Sequence, residues 1–239
     1  MSQLGGDILV VASDLFSEST TQQHKIGSRA TTPDGRVYRY AKAGATALVA
    51  GDLLQAPAIV ANHQNLTPAA AAIGATTVTV TLGATAATAD QYAEGFLVVN
   101  VAPGIGYTYA IKSNPAAALS ATMVVTLDDT IQVALTASSR VSLIANSYNG
   151  VIQSPTVATS SPVGVGVEAT TANSFQFIQV YGPCSVLSDL TVAAVGLGVI
   201  ASTTTAGAIT VATATGGNIG YALQAGVSAE RRAVFLNID

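Results

Sequence analysis

The sequence predicts an all-β protein, and three observations predict it. Residues 76–82 (Thr-Thr-Val-Thr-Val-Thr-Leu) alternate polar and apolar side chains, the period of a strand with one buried face. Short apolar runs recur about every ten residues, separated by Gly, Pro, Asp-Gly or Asn-Gly, which is the rhythm of a barrel or sandwich. No segment carries the 3.6-residue period of an amphipathic helix over several turns. Strict repeats are absent, which argues against a solenoid.

Taken in order, residues 1–30 stand apart. They are polar and weakly periodic, and they read as an extended arm with an apolar anchor at Ile8, Leu9, Val10 and Val11; a disordered tail is the other reading. Lys25, Arg29, Arg36, Arg39 and Lys42 place most of the chain's positive charge here and just beyond. Ile8, Leu9, Val10, Lys25 and Arg29 are therefore the candidate contact residues. Such an arm suits an acidic protein surface, and a solvated face explains the charges equally well. Asp34-Gly35 is a turn signal that introduces a strand from Arg36 to Ala41. Ala47–Val49 follows between Gly44 and Gly51 and leads into Asp52–Leu54.

A second region spans 62–150. After the alternating Thr76–Leu82 strand, with Val78, Val80 and Leu82 facing a core, strands are predicted at Phe96–Val101, Tyr107–Lys112, Met123–Leu127 and Arg140–Ala145. Pro115–Leu119 suggests one helical turn, and Asn149-Gly150 a turn that closes the region. The third region supplies strands at Val163–Val167 and Phe175–Tyr181, the latter ended by Gly182-Pro183. Leu190–Val195, Gly198–Ala201, Ala208–Ala212, Tyr221–Leu223 and Ala233–Ile238 continue the series. The organisation is an arm (1–30), a β-barrel domain from 31–61 plus 151–239, and an inserted β domain (62–150).

Composition bears on function. Charged residues make up 9 % of the chain, against about a quarter in an ordinary globular domain. None lies between Asp189 and Glu230. Hydrophobic content is 49 % but aromatics are 5 % and Trp is absent, so the core is built from small side chains. Each buries little area, which favours stability gained by association. A net charge of −4 gives no basic footprint for nucleic acid. No signal peptide is expected at the N-terminus. Val192–Ala201, the longest strongly apolar stretch, is far short of a membrane span, so a product made in the cytoplasm is expected.

Enzyme chemistry finds no foothold. The histidines, His24 and His63, lie near no nucleophile elbow, and Cys184 reads as a small buried hydrophobe rather than a partner for His63. Gly164–Ala169 and Gly196–Ala201 both fit G-x-G-x-x-A, but β-rich sequence follows each where a helix N-terminus would have to hold a pyrophosphate. Asp128-Asp129 lacks the alternating oxygen ligands of a calcium loop and the aromatic platforms of a glycosidase cleft. No cofactor or metal is expected.

Several segments carry a resemblance. Thr20–Arg29, Asp34–Tyr40, Ala47–Asp52, Tyr92–Asn100 and Gly104–Lys112 resemble head proteins of tailed bacteriophages. The Gly164-Val165-Gly166-Val167 run, the Gly182-Pro183 corner and Ile219–Leu223 before a final apolar strand are similar to those of capsid decoration (cement) proteins. The resemblance implies a small barrel or β-tulip on the capsid exterior, commonly a trimer, whose partners are its own copies and the major capsid protein. It implies a location on the virion and no active site. A receptor- or glycan-binding β module of a phage fibre, tail or head surface is the alternative, with the Tyr107/Tyr109 strand as its candidate aromatic pair.

Overall fold

The structure, a computed structural model, describes residues 8–9, 12–189, 195–212, 219–227 and 229–239. The first strands are β1 (Ile8–Leu9), β2 (Arg29–Thr31), β3 (Val37–Ala43) and β4 (Leu53–Gln55), with a short helix α1 (Ala12–Leu15) between β1 and β2. Then come β5 (Thr77–Thr81), β6 (Phe96–Val101), β7 (Thr108–Ser113), β8 (Thr122–Leu127) and β9 (Arg140–Ile144). The rest are β10 (Asn149–Gln153), β11 (Pro162–Gly166), β12 (Phe175–Leu187), β13 (Gly198–Ala201), β14 (Ile209–Val211), β15 (Gly220–Ala222) and β16 (Arg231–Asn237). The fold is all-β. The chain forms two compact units, one running to Ala58 and resuming at Ser147, the other Ile59–Asn146. The middle unit thus begins before residue 62 and ends before residue 150.

In the middle unit the strand order is β5–β8–β7–β6–β9. Residues 66–69 close the ring. Leu66 exchanges two backbone hydrogen bonds with Val141 of β9 (2.7 and 2.9 Å), and the Ala69 N–H donates to the Thr79 carbonyl of β5 (2.8 Å). Alternation sends Val78, Val80, Leu97, Val99, Tyr109, Ile111, Met123, Val125, Val141 and Leu143 inward, all buried. Thr77, Thr79, Thr81, Thr122, Val124 and Thr126 point outward. Polar groups inside are paired, as burial demands. His63 is fully buried: its Nε2 lies 2.9 Å from the Thr85 carbonyl and its Nδ1 2.5 Å from the Tyr92 hydroxyl. Only an N–H satisfies a carbonyl, so Nε2 carries the proton and Nδ1 accepts from Tyr92.

In the other unit β3, β10, β4, β11 and β12 close on themselves, because β12 pairs with β3 as well as with β11. The interior is made of alanine and aliphatic side chains: Ala41, Ala43, Leu48, Leu54, Ala56, Val151, Val163 and Ile178. β4 and β10 are antiparallel neighbours, so the middle unit leaves and rejoins at adjacent chain positions, where insertion disturbs little. β12 then runs on, and the same eleven-stranded sheet continues as β12–β16–β15–β13–β14. The Ile209 residue of β14 bridges in parallel to Ser188, just beyond β12, and so brings this part of the sheet back to its start. Val186, Val199, Ile209, Ala222, Val234 and Leu236 fill it.

Four local expectations are corrected. Pro115–Leu119 is not helical; Ala117 instead exchanges backbone hydrogen bonds with Ala87 (2.9 Å each). Asn149-Gly150 opens β10 as a bulge, with Gly150 at φ 91°. Gly182-Pro183 does not end the strand. Pro183 sits in β12 opposite Phe235, past the end of the β3 pairing, where its missing N–H costs β3 no bond. Of Ala47–Val49, Leu48 alone pairs, by an isolated bridge to Thr170. The expected strand at Leu190–Val195 falls mostly on residues 190–194, outside the described residues.

Candidate functional site

The second half of β12, with β15 and β16, presents an outward face of alternating side chains. Register places Tyr221 opposite Phe235, Phe235 opposite Pro183, and Tyr181 opposite Asn237. Between their outward neighbours, Ala222, Val234 and Leu236 turn inward and hold the strands on the core. The Tyr221 and Phe235 rings stack, 7° apart in plane with centroids at 5.1 Å; Tyr181 meets Phe235 edge-on at 5.1 Å. These are favourable aromatic geometries and fix the rings relative to one another. Gly220 brings β15 close to β16, since a β-carbon there would collide with the Phe235 carbonyl. The result is a groove of about 360 Å³ lined by Tyr181, Gly220, Tyr221, Phe235 and Asn237.

No family model, curated protein or solved structure matches this chain.

Function therefore has to be argued from the site itself. The groove offers aromatic surface, two phenol hydroxyls, a carboxamide and no charge. Among the described residues no carboxylate, imidazole, thiol or amine lines it. Sequence reasoning missed it because Tyr181, Tyr221 and Phe235 are far apart in the chain; only the register of β12, β16 and β15 joins them. Of the aromatic pair that the sequence did single out, only Tyr107 is exposed. Tyr109 is buried in the barrel with its hydroxyl accepting from the Gln132 N–H (3.1 Å), and Tyr107 stacks over it at 6.0 Å.

The expected arm lies against its own unit wherever it is described. β1 pairs in parallel with β2, bringing Ile8 opposite Ala30. Leu15, Ile26 and Ala30 are buried with Tyr38, Tyr40, Phe175 and Phe177, and Ile8 packs on that cluster. Glu18 Oε2 accepts from the Thr171 N–H (2.6 Å) and hydroxyl (3.1 Å). Ile8, Leu15, Ile26 and Ala30 thus find an internal partner while Phe16 stays exposed, and a cut at residue 30 would open the core. Lys25 is exposed; Arg29 is half-buried, its Nε 3.8 Å from Asp239 Oδ2. Leu9 belongs to β1 with its side chain outside the described residues, as is Val10 altogether.

The two glycine motifs serve strand packing. A β-carbon at Gly164 would lie 2.8 Å from the Gln179 carbonyl, and one at Gly166 3.0 Å from that of Val49; no helix follows either motif. Gly196 makes a turn at φ 86°. Cys184 and His63 belong to different units, and both His63 ring nitrogens are engaged. Burial pushes the Cys184 thiol up to about 12. At neutral pH the native thiolate fraction is accordingly small, and a thiol reagent should label Cys184 at least about tenfold faster after unfolding than before. Equal rates in the native and denatured protein would show the thiol to be open to solvent. Among the described residues no group of three His, Cys, Asp or Glu side chains could hold a metal ion.

Proposed function

We propose that the chain is a structural virion protein that decorates the outside of a phage capsid, as a homotrimer bridging major capsid subunits. The observation that carries this reading is the outer face of β5 and β8. Thr77 faces Thr126, Thr79 faces Val124 and Thr81 faces Thr122, a continuous strand surface with no charge on it. In the same unit Ile73, Phe96, Ile105 and Leu119 are exposed, and the charged residues are Asp90, Glu94, Lys112, Asp128, Asp129 and Arg140 alone. Apolar side chains on uncharged ground suit burial against a partner. Closed rings also leave few free strand edges, so association runs through faces and stays finite instead of growing edge to edge. Three copies held together bind a lattice far more tightly than one, without any single strong contact. The phage assignment rests on the resemblance of the Thr20–Arg29, Tyr92–Asn100, Gly104–Lys112 and Ile219–Leu223 segments.

Light scattering on the purified protein at micromolar concentration is expected to give a trimer mass, and the protein should co-sediment with capsids lacking it. Val124→Glu places a charge at the centre of the β5–β8 face without touching the core, and should lower capsid occupancy at least about tenfold. A monomer that ignores capsids ends this reading.

A further inference from the structure

We propose that the Tyr181–Tyr221–Phe235 groove binds a neutral saccharide, with one sugar ring stacked on the exposed tyrosines and its hydroxyls held by Asn237 and the two phenols. This site goes beyond the assembly reading, lies on different strands from the β5–β8 face and does not depend on it.

The chemistry of the lining selects the ligand. A pyranose has an apolar C–H face and a rim of hydroxyls, so it needs aromatic surface and uncharged hydrogen-bonding groups side by side. Tyr181 and Tyr221 are 36 % and 41 % exposed, which leaves ring surface available in each. Neither phenol hydroxyl bonds to another described group, nor does the Asn237 carboxamide, although the Asn237 backbone N–H is used in pairing to Ile219. The two phenol hydroxyls and the Asn237 carboxamide are thus uncommitted, while the rings beside them are locked by mutual stacking and by strand pairing. Such a surface loses little freedom when a ligand arrives.

Charge argues against the rival ligands. A nucleotide or a sulfated sugar needs cations, and those nearby are committed or covered: at the far end of β16 Arg232 is buried and Arg231 is spent on Asp52 and the Ala50 carbonyl, while Arg36, packed over Gly182, is paired with Asp34 (2.8 Å). A cationic ligand needs carboxylates; Asp239 is taken up by Arg39 and Arg29. The volume, about 360 Å³, falls at the small end of ligand sites, which run from about 300 to 1,000 Å³. The groove therefore fits one ring, with the remainder of an oligosaccharide leaving into solvent. Affinity is set by that single contact and is expected near the millimolar range.

The test is saturation-transfer NMR on the full chain with maltohexaose, cellohexaose and chitohexaose as neutral probes and a heparin hexasaccharide as the anionic one. Transfer to the C–H protons of a neutral probe is expected, falling at least tenfold in Tyr221→Ala and in Tyr181→Ala. Both side chains are exposed, so the melting temperature should hold. Asn237→Asp, which keeps the shape and removes the amide donor, should weaken the same probe. No transfer to any neutral probe overturns the proposal, and so does transfer to heparin alone. Transfer that survives both tyrosine substitutions places the sugar elsewhere and overturns it too. If the tyrosine variants change the oligomeric mass while no sugar binds, the groove is a subunit contact and not a saccharide site.

Discussion

Leu97→Ala is expected to cost the middle unit about 3 kcal/mol, while Phe96→Ala, which removes more atoms one residue earlier, costs under about 1 kcal/mol in the isolated protein. The two side chains leave β6 on opposite faces. Leu97 has no exposed surface and stands between Tyr109 of β7 and Leu143 of β9. Phe96 is 46 % exposed on the outer face, opposite Ala110 and Ile144. Truncating Leu97 loses its transfer energy and leaves a void that a closed ring cannot collapse into, because every strand is pinned on both sides. The check is denaturant unfolding, comparing midpoints at equal slope. Equal losses for the two variants would mean that β6 is out of register by one residue. The comparison also separates folding from assembly, since Phe96→Ala is the substitution that should matter only once copies or capsid subunits cover the outer face.

This inside–outside alternation is the part of the fold that was legible in sequence. Thr77–Thr81, Phe96–Val101 and Gly198–Ala201 all sit where period-two patterning puts them. What patterning cannot carry is which strands meet. Closure of the middle barrel depends on Leu66 and Pro68, two isolated bridges in a segment with no strand signal of its own. β12 is continuous through Gly182-Pro183 because β16 takes over as β3 ends, a tertiary exchange of partners that overrides a local turn signal. The alanines around Ala117 favour helix in isolation, yet Ala87 offers them a strand partner. The same limit hid the aromatic groove. Tyr107 and Tyr109 are two residues apart in sequence, so they were visible, but period two does not say that Tyr109 is buried while Tyr107 is exposed.

Arg231→Ala is expected to destabilise the protein by about 2 kcal/mol at neutral pH, and the loss should shrink as the solution is acidified. Asp52 has only 4 % of its side chain exposed and is held by two donors: Gln153 Nε2 at 2.6 Å from Oδ2, and an Arg231 Nη at 3.2 Å from Oδ1. Arg231 Nε also donates to the Ala50 carbonyl (2.8 Å). The cluster ties the start of β4 to β10 and β16, and its atoms pass over Gly51 and Gly207, both at positive φ, where any β-carbon would strike Arg231 or Asp52. Burial pushes the Asp52 carboxyl above its ordinary value, against the opposing pull of Gln153 and Arg231. Because the folded form holds this proton more tightly than the unfolded one, its stabilising contribution is full below the unfolded value near 3.8 and is lost as pH rises through the raised folded value. Removing the arginine raises the folded value further, so the decline continues to higher pH in the variant than in the parent. Water reaches the guanidinium, which is 42 % exposed, and this holds the loss below the roughly 3–5 kcal/mol of a dry ion pair. At about pH 3 the carboxyl is neutral in both proteins, and only the lost bond to Ala50 should remain, about 1 kcal/mol. Asp52→Asn removes the titrating group, so in that background Arg231→Ala should cost the same at acid and neutral pH. Unfolding curves across the pH range decide the point: a deficit of equal size at both ends in the Asp52 protein would show that Arg231 acts by packing over Gly51 and not by compensating a buried charge.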